Sequence, residues 1–157
     1  MSDFELVRAF NFRVTLGERP QATLGDGAFQ EVSGLEAEME VKELYEGGSN
    51  DAVVQRIGRA KYSQKIVLKR GMFVRGATAS NELWKWFQDT VAGVHPVRRY
   101  GGTIEVLSPA GDPRATWKFR RGLPARLVGP TLNAKTGEIA IEELHIAHEG
   151  LFLEGTT

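Results

Sequence analysis

Residues able to do chemistry are few in this 157-residue chain, and they are poorly grouped for it. The histidines are His95, His145 and His148. A metal centre needs several nitrogen, oxygen or sulfur ligands converging on one point. His145 and His148 stand three apart in a strand-like run, which sends them to opposite faces unless a bulge intervenes. His95 precedes a proline in a loop. All three read as surface or interface histidines.

The tightest carboxylate row is Glu36, Glu38 and Glu40, with Glu142-Glu143 a second. A glycoside hydrolase sets two carboxylates against each other across a cleft. A row along one strand face is more simply a solvated, charge-paired sheet surface. Gly47-Gly48-Ser49-Asn50-Asp51 is glycine-rich, yet it has neither the GK[ST] ending nor the GxGxxG spacing of a phosphate cradle. Arg56, Arg59, Lys61, Lys65, Lys69 and Arg70 form a basic stretch with Tyr62 as its one aromatic. Single-stranded nucleic acid is gripped by such charges interleaved with stacking rings. Here the adjacent glutamates favour pairing within or between copies. No serine falls in a hydrolase motif. The sequence therefore assigns no catalytic residue, no cofactor-binding residue and no metal ligand, and the chain reads as a non-enzyme with no cofactor.

Composition narrows the class further. Acids and bases number 20 each, so no global field calls for nucleic acid or an anionic membrane. A hydrophobic fraction of 41% and a charged fraction of 25% are ordinary for a globular protein. The absence of cysteine excludes a disulfide framework and thiolate chemistry, and fits assembly in a cytoplasm. The N-terminus lacks the pattern of a secretory signal, and no run approaches the roughly 18 apolar residues of a membrane helix. One domain over 1–157, without membrane insertion, is expected.

Most of the chain alternates with the period of a β-strand. Phe10, Phe12, Val14 and Leu16 alternate with polar residues. After a Gly- and Pro-marked loop, Ala28–Val32 is a second strand, and Ser33-Gly34 reads as a bulge or tight bend. Leu35–Leu44 is a third strand, with Leu35, Ala37, Met39 and Val41 on one face and Glu36, Glu38, Glu40 and Lys42 on the other. A half-buried strand is expected there. Ser63–Arg70 is a fourth. Tyr45–Tyr62 between them reads as one polar loop, far longer than a hairpin connection of two to five residues.

Gly76–Ser80 reads as a linker into the one helix, over about 81–91, with Ser80 as its N-cap and an apolar stripe of Leu83, Trp84, Trp86, Phe87 and Val91. Beyond it, Pro96–Tyr100, Thr103–Leu107 and Ala115–Phe119 read as strands, with a turn at Gly101-Gly102. A break at Leu123-Pro124 and an edge strand at Ala125–Val128 follow. The last strand, Glu138–His148, changes apolar phase between Ile139/Ile141 and Leu144/Ile146, which implies a bulge or a change of environment. Seven or eight antiparallel strands with one helix packed on them make a mainly β protein, a β-barrel or sandwich.

FNFRVTLG, VSGL within FQEVSGLEAEMEV, YEGGSND, IVLKRGM, LWKWFQD and IAIEELHIAHEGL occur in this order from Phe10 to Leu151. In that series the chain resembles the tail tube (inner tube) proteins of contractile phage tails and of phage-tail-like contractile injection systems. The tube protein of type VI secretion is a more distant likeness.

The resemblance implies a protomer whose sheets join those of its neighbours into a hexameric ring. Rings stack into a hollow tube, which a contracting sheath drives through a target envelope. Its implied partners are further copies of itself, the sheath protein, baseplate or spike and tube-terminating proteins, and cargo or a tape-measure protein in the lumen. The long loop becomes the assembly element, with Glu46, Gly47, Gly48, Ser49, Asn50, Asp51, Val53, Val54, Ile57 and Arg59 at the subunit interface. Glu36, Glu38, Glu40, Lys42, Lys65 and Lys69 are candidate lumen-facing residues. The all-β pattern alone also allows a monomeric barrel with an apolar ligand cavity, or a small hydrolase using the Glu36/Glu38/Glu40 row.

Overall fold

Strand formation follows the alternation, and the computed structural model describes residues 4–17, 29–45, 47–48, 53–75, 77–79 and 81–155. Its strands are β1 (Phe12–Leu16), β2 (Phe29–Ser33), β3 (Glu38–Tyr45), β4 (Val53–Lys61), β5 (Ile66–Gly71), β6 (Val74–Arg75), β7 (Thr78–Ala79), β8 (Tyr100–Leu107), β9 (Pro113–Val128), β10 (Ile141–Ala147) and β11 (Gly150–Leu153). The helix α1 (Glu82–Val91) lies between β7 and β8.

Seven strands form one antiparallel sheet in the order β1-β8-β9-β10-β5-β2, with β11 also on β9. The 16-residue β9 links its two halves. Trp117–Arg120 pair with β11 while β8 runs along the other side, and Leu123–Val128 pair with β10. Among the described residues the sheet is open: β1 and β2 end that order, β11 is a further edge, and no closed barrel forms. It nevertheless curls, because Leu16 of β1 and Phe29 of β2 bury into one core with Ile66, Leu68, Ile104, Phe119, Leu144 and Ile146. Leu83 and Trp86 of α1 complete that core. The helix must pack this way, since ten residues are marginal alone.

Several local expectations change. The predicted turn at Gly101-Gly102 is instead the interior of β8. Gly102 is required there because a Cβ would collide with the Phe119 ring across the ladder. The predicted break at Leu123-Pro124 is likewise absorbed into β9, where the register shifts by one residue opposite His145/Ile146. A bulge tolerates a proline that a regular ladder would not. The segment read as an edge strand, Ala125–Val128, pairs only with β10 among the described residues and is an edge there. In β10 the inward face is Glu142, Leu144 and Ile146 without interruption, while Ile139 and Ile141 are exposed. The apparent phase change arose because a glutamate fills an inward position.

Asn81 sits at the helix N-cap without a side-chain hydrogen bond, and Ser80 lies outside the described residues. Val91, placed in the apolar stripe, is exposed.

Candidate assembly interface

The largest departure from expectation lies between Tyr45 and Tyr62. Val53–Lys61 is not loop but β4, which pairs antiparallel with β3 over Glu38–Tyr45. The overlong connection is the far half of a two-stranded arm, with only residues 46–52 between its strands. Fluctuating polarity along VVQRIGRAK hid this strand: Gln55, Arg56, Gly58 and Arg59 interrupt the alternation that marks a one-sided surface.

A bend at the arm's root sets it off from the sheet. Gly34 has φ +82°, and a Cβ there would collide with the Lys65 carbonyl oxygen, so the chain turns where only glycine fits. A bulge at Glu40 follows, placing it over Gly58. Ser63 Oγ donates to Glu38 Oε2 at 3.4 Å beside the root. Among the described residues the arm forms its own sheet, with no ladder to the main one.

Neither face of the arm is buried. Val41 opposes Ile57 and Tyr45 opposes Val53 on one face, while Leu44 opposes Val54 on the other. All six are exposed, Ile57 and Tyr45 at 78% each. The half-buried third strand is therefore corrected: Met39 and Val41 face solvent. A two-stranded ribbon is marginal by itself, and contiguous exposed apolar surface of this kind marks an interaction site. Lys42 directly opposes Arg56, a like-charge pair that disfavours the isolated ribbon.

Of the interface residues read from the sequence, Val53, Val54, Ile57 and Arg59 stand on β4, and Gly47 and Gly48 in the turn. Glu46, Ser49, Asn50 and Asp51 lie outside the described residues. Glu38, Glu40 and Lys42 are on β3, with Glu36 at its root. Lys69 is elsewhere, on β5 of the main sheet, and Lys65 immediately precedes that strand. There Glu31, Lys69 and Glu143 align across β2, β5 and β10, and Val67, His145 and Arg126 across β5, β10 and β9. Lys69 Nζ lies 3.2 Å from Glu31, and His145 Nε2 2.7 Å from Glu143. This sheet face turns away from the core and carries both signs of charge.

The opposite face holds a group that sequence reasoning missed. Arg70 and Glu142 pair inside the core, with Trp84 Nε1 donating to Glu142 at 3.1 Å. Phe29 and Phe73 rings flank the guanidinium at 5.5 and 5.0 Å. The signal was present: each residue continues an inward period-two series, Ile66-Leu68-Arg70 and Glu142-Leu144-Ile146. Buried and paired, Glu142 is structural.

The hydrolase reading finds no geometry, since Glu36, Glu38 and Glu40 follow one another along β3 and its root rather than facing across a cleft. Among the described residues, no group of three acidic or histidine side chains could hold a metal, and no helix is long and apolar enough to cross a membrane. The ligand-barrel reading fares no better at the cleft beside α1. That space, about 320 Å³, is lined by Glu82, Lys85, Asp89 and Arg98 together with Trp86 and Tyr100, a mixed-charge wall.

Comparison with known proteins gives one consistent answer. The fold is similar to a chain of the PVC sheath–tube complex, an extracellular contractile injection system in its extended state (TM-score 0.76, 23% identity, covering 96% of this chain and 93% of that one). It is similar to a chain of the anti-feeding prophage baseplate (TM-score 0.76, 24% identity, covering 99% and 98%). Hcp1 from Flavobacterium johnsoniae is a weaker likeness (TM-score 0.52, 14% identity, covering 94% and 97%). No curated protein sequence matches. At these identities the likenesses establish the fold. The sequence itself matches the T4-like virus tail tube protein gp19 over residues 8–152, nearly the whole chain. The chain therefore belongs to the T4-like tail tube protein gp19 family, whose members are structural, non-enzymatic subunits of the tail tube.

Proposed function

We propose that this tail tube subunit forms hexameric rings by joining its sheet to those of its neighbours, and that the β3–β4 arm clasps an adjacent subunit. The observation that carries the reading is the arm itself, a ribbon with apolar side chains exposed on both faces and no strand partner for it outside the arm among the described residues. Burial on a second copy removes that surface from water at roughly 25 cal/mol per Å².

The open sheet supports the ring. Two of its free edges, β1 and β2, belong to opposite ends of one curled sheet. Head-to-tail pairing of β1 with a neighbour's β2 satisfies both edges and closes a continuous barrel around a lumen. Contact between rings does not close, so rings stack into a tube. Glu46, Gly47, Gly48, Ser49, Asn50, Asp51, Val53, Val54, Ile57 and Arg59 serve the clasp.

The lumen wall in this reading is the polar face of β2, β5, β10 and β9. Lys65 and Lys69 belong to it, with Glu31, Glu143, His145 and Arg126. Glu36, Glu38, Glu40 and Lys42 extend it where the arm overlaps a neighbour. Balanced charge lets a cargo or tape-measure protein pass without sticking. The PVC likeness comes from a sheath–tube complex and the anti-feeding prophage likeness from a baseplate. By analogy the outer surface meets a sheath and the tube ends meet baseplate or spike and terminating proteins. Assembly takes place in a bacterial cytoplasm, and the particle is an injection device or a virion. Size-exclusion chromatography with negative-stain imaging tests the core of this: rings and tubes support it, and a monomer at every concentration rejects it.

A further inference from the structure

The root of the arm meets the body at an unusual histidine. His148 lies in the two-residue corner between β10 and β11, where the chain passes from one half of β9 to the other. Its ring packs against Tyr62, the first residue beyond β4, at a centroid distance of 5.2 Å, and against Phe119 of β9 at 6.1 Å. Both ring nitrogens are shielded from solvent, and neither has a hydrogen-bond partner among the described residues. A neutral imidazole always carries one N–H donor and one acceptor, so both lack a well-formed bond here.

We propose that the Tyr62–His148–Phe119 stack is a proton-sensitive latch that holds the arm in one orientation on the body. Among the described residues the arm has no backbone ladder to the main sheet, so its set depends on contacts at its root: Leu35 against the core, the Gly34 bend, and this stack. A second proton on His148 places a charge in a shielded site where the Gly150 backbone offsets only part of its desolvation. Swinging Tyr62 aside admits water and relieves that charge, at the cost of freeing the arm.

The surrounding charges do not offset this. Glu149, next in sequence, is engaged outside by Arg99 at 3.2 Å and Arg121 at 2.7 Å. Glu143 of β10 is taken by His145. Arg120 of β9 lies against Gly150 and over the Phe152 ring. From the arm, Lys61 precedes Tyr62 and opposes Glu38 in register. The phenol of Tyr62 is the titratable group in ring contact with the imidazole.

The direction of the linkage follows. Burial lowers the His148 pKa from its ordinary 6.5, with the Gly150 backbone opposing the shift only in part. The latched state therefore binds fewer protons than the released state. Latching is complete above about pH 6.5 and weakens as pH falls from there toward the lowered value. Across that window the released-to-latched ratio rises by up to about tenfold per pH unit for a single proton.

The chain has no cysteine, so two introduced ones report without background. Spin labels on Gln55→Cys in the arm and Ala125→Cys on β9, with labelled chains diluted into unlabelled protein, give an intramolecular distance in any oligomeric state. The expected result is one narrow distance at pH 8 and a second, growing population between pH 6.5 and 5. His148→Phe keeps the stack without the titration and should stay narrow throughout; Tyr62→Ala should be broad at both ends. A wild-type distance unchanged from pH 8 to 5 overturns the proposal, as does the same growth in His148→Phe.

Discussion

Arg70 of β5 and Glu142 of β10 are register partners whose paired side chains are each only 1% exposed, on the core side of a sheet whose other side carries Lys69 and Glu143. The same two strands thus hold an ion pair in the core and a polar row on the surface. Removing two charges from water is costly, and their attraction recovers it only when the remaining bonds are made. Trp84 supplies one of them.

Breaking this pair should be far worse than removing it. Arg70→Met alone or Glu142→Leu alone should cost about 3–5 kcal/mol, because each strands a buried charge. The double substitution should recover most of that. Urea unfolding of the three variants checks the sign, and additive single costs would contradict it.

Packing across β8 and β9 gives a second prediction. Gly102→Ala pushes a methyl into the Phe119 ring and should destabilise by about 1–3 kcal/mol. Combined with Phe119→Leu, the added methyl should cost less than it does alone. A double-mutant cycle by thermal unfolding measures that coupling.

Assembly and folding should separate at the arm. Val41→Thr with Ile57→Thr keeps β-branched side chains on the ribbon while removing apolar surface. Since both positions are exposed, the monomer's stability should move by no more than about 0.5 kcal/mol. Ring and tube formation, followed by sedimentation, should fall at least tenfold. Unimpaired tubes would remove the arm from the interface.

Sheet joining makes a covalent prediction. In a chain with no cysteine of its own, Arg13→Cys or Thr15→Cys on β1 combined with Glu31→Cys or Ser33→Cys on β2 should yield disulfide-linked oligomers on oxidation. At least one combination should give a ladder ending at a closed species on a non-reducing gel. Monomer from every combination would mean that other surfaces join.

How much of this was legible in the sequence depended on the kind of signal. Strands with one apolar face, such as Phe12–Leu16 and Thr103–Leu107, announced themselves by alternation, and the helix by its tryptophans. β4 did not, because a ribbon that buries neither face alone has no reason to alternate. Pro124 and Gly101-Gly102 looked like breaks. The first sits at a bulge, and the second lies where β8 admits an aromatic ring. Arg70 and Glu142 were visible as charges, but their inward phase shows only once register is known. Tyr62 and His148 are 86 positions apart, and their contact needed the fold.

The most direct test of the central claim is electron microscopy of the purified chain across a concentration series. The expected particles are hexameric rings that stack into hollow tubes, with β1 paired to a neighbour's β2 and the β3–β4 arm laid on an adjacent subunit. A particle that stays monomeric at every concentration, or rings in which the arm projects into solvent, would contradict that claim.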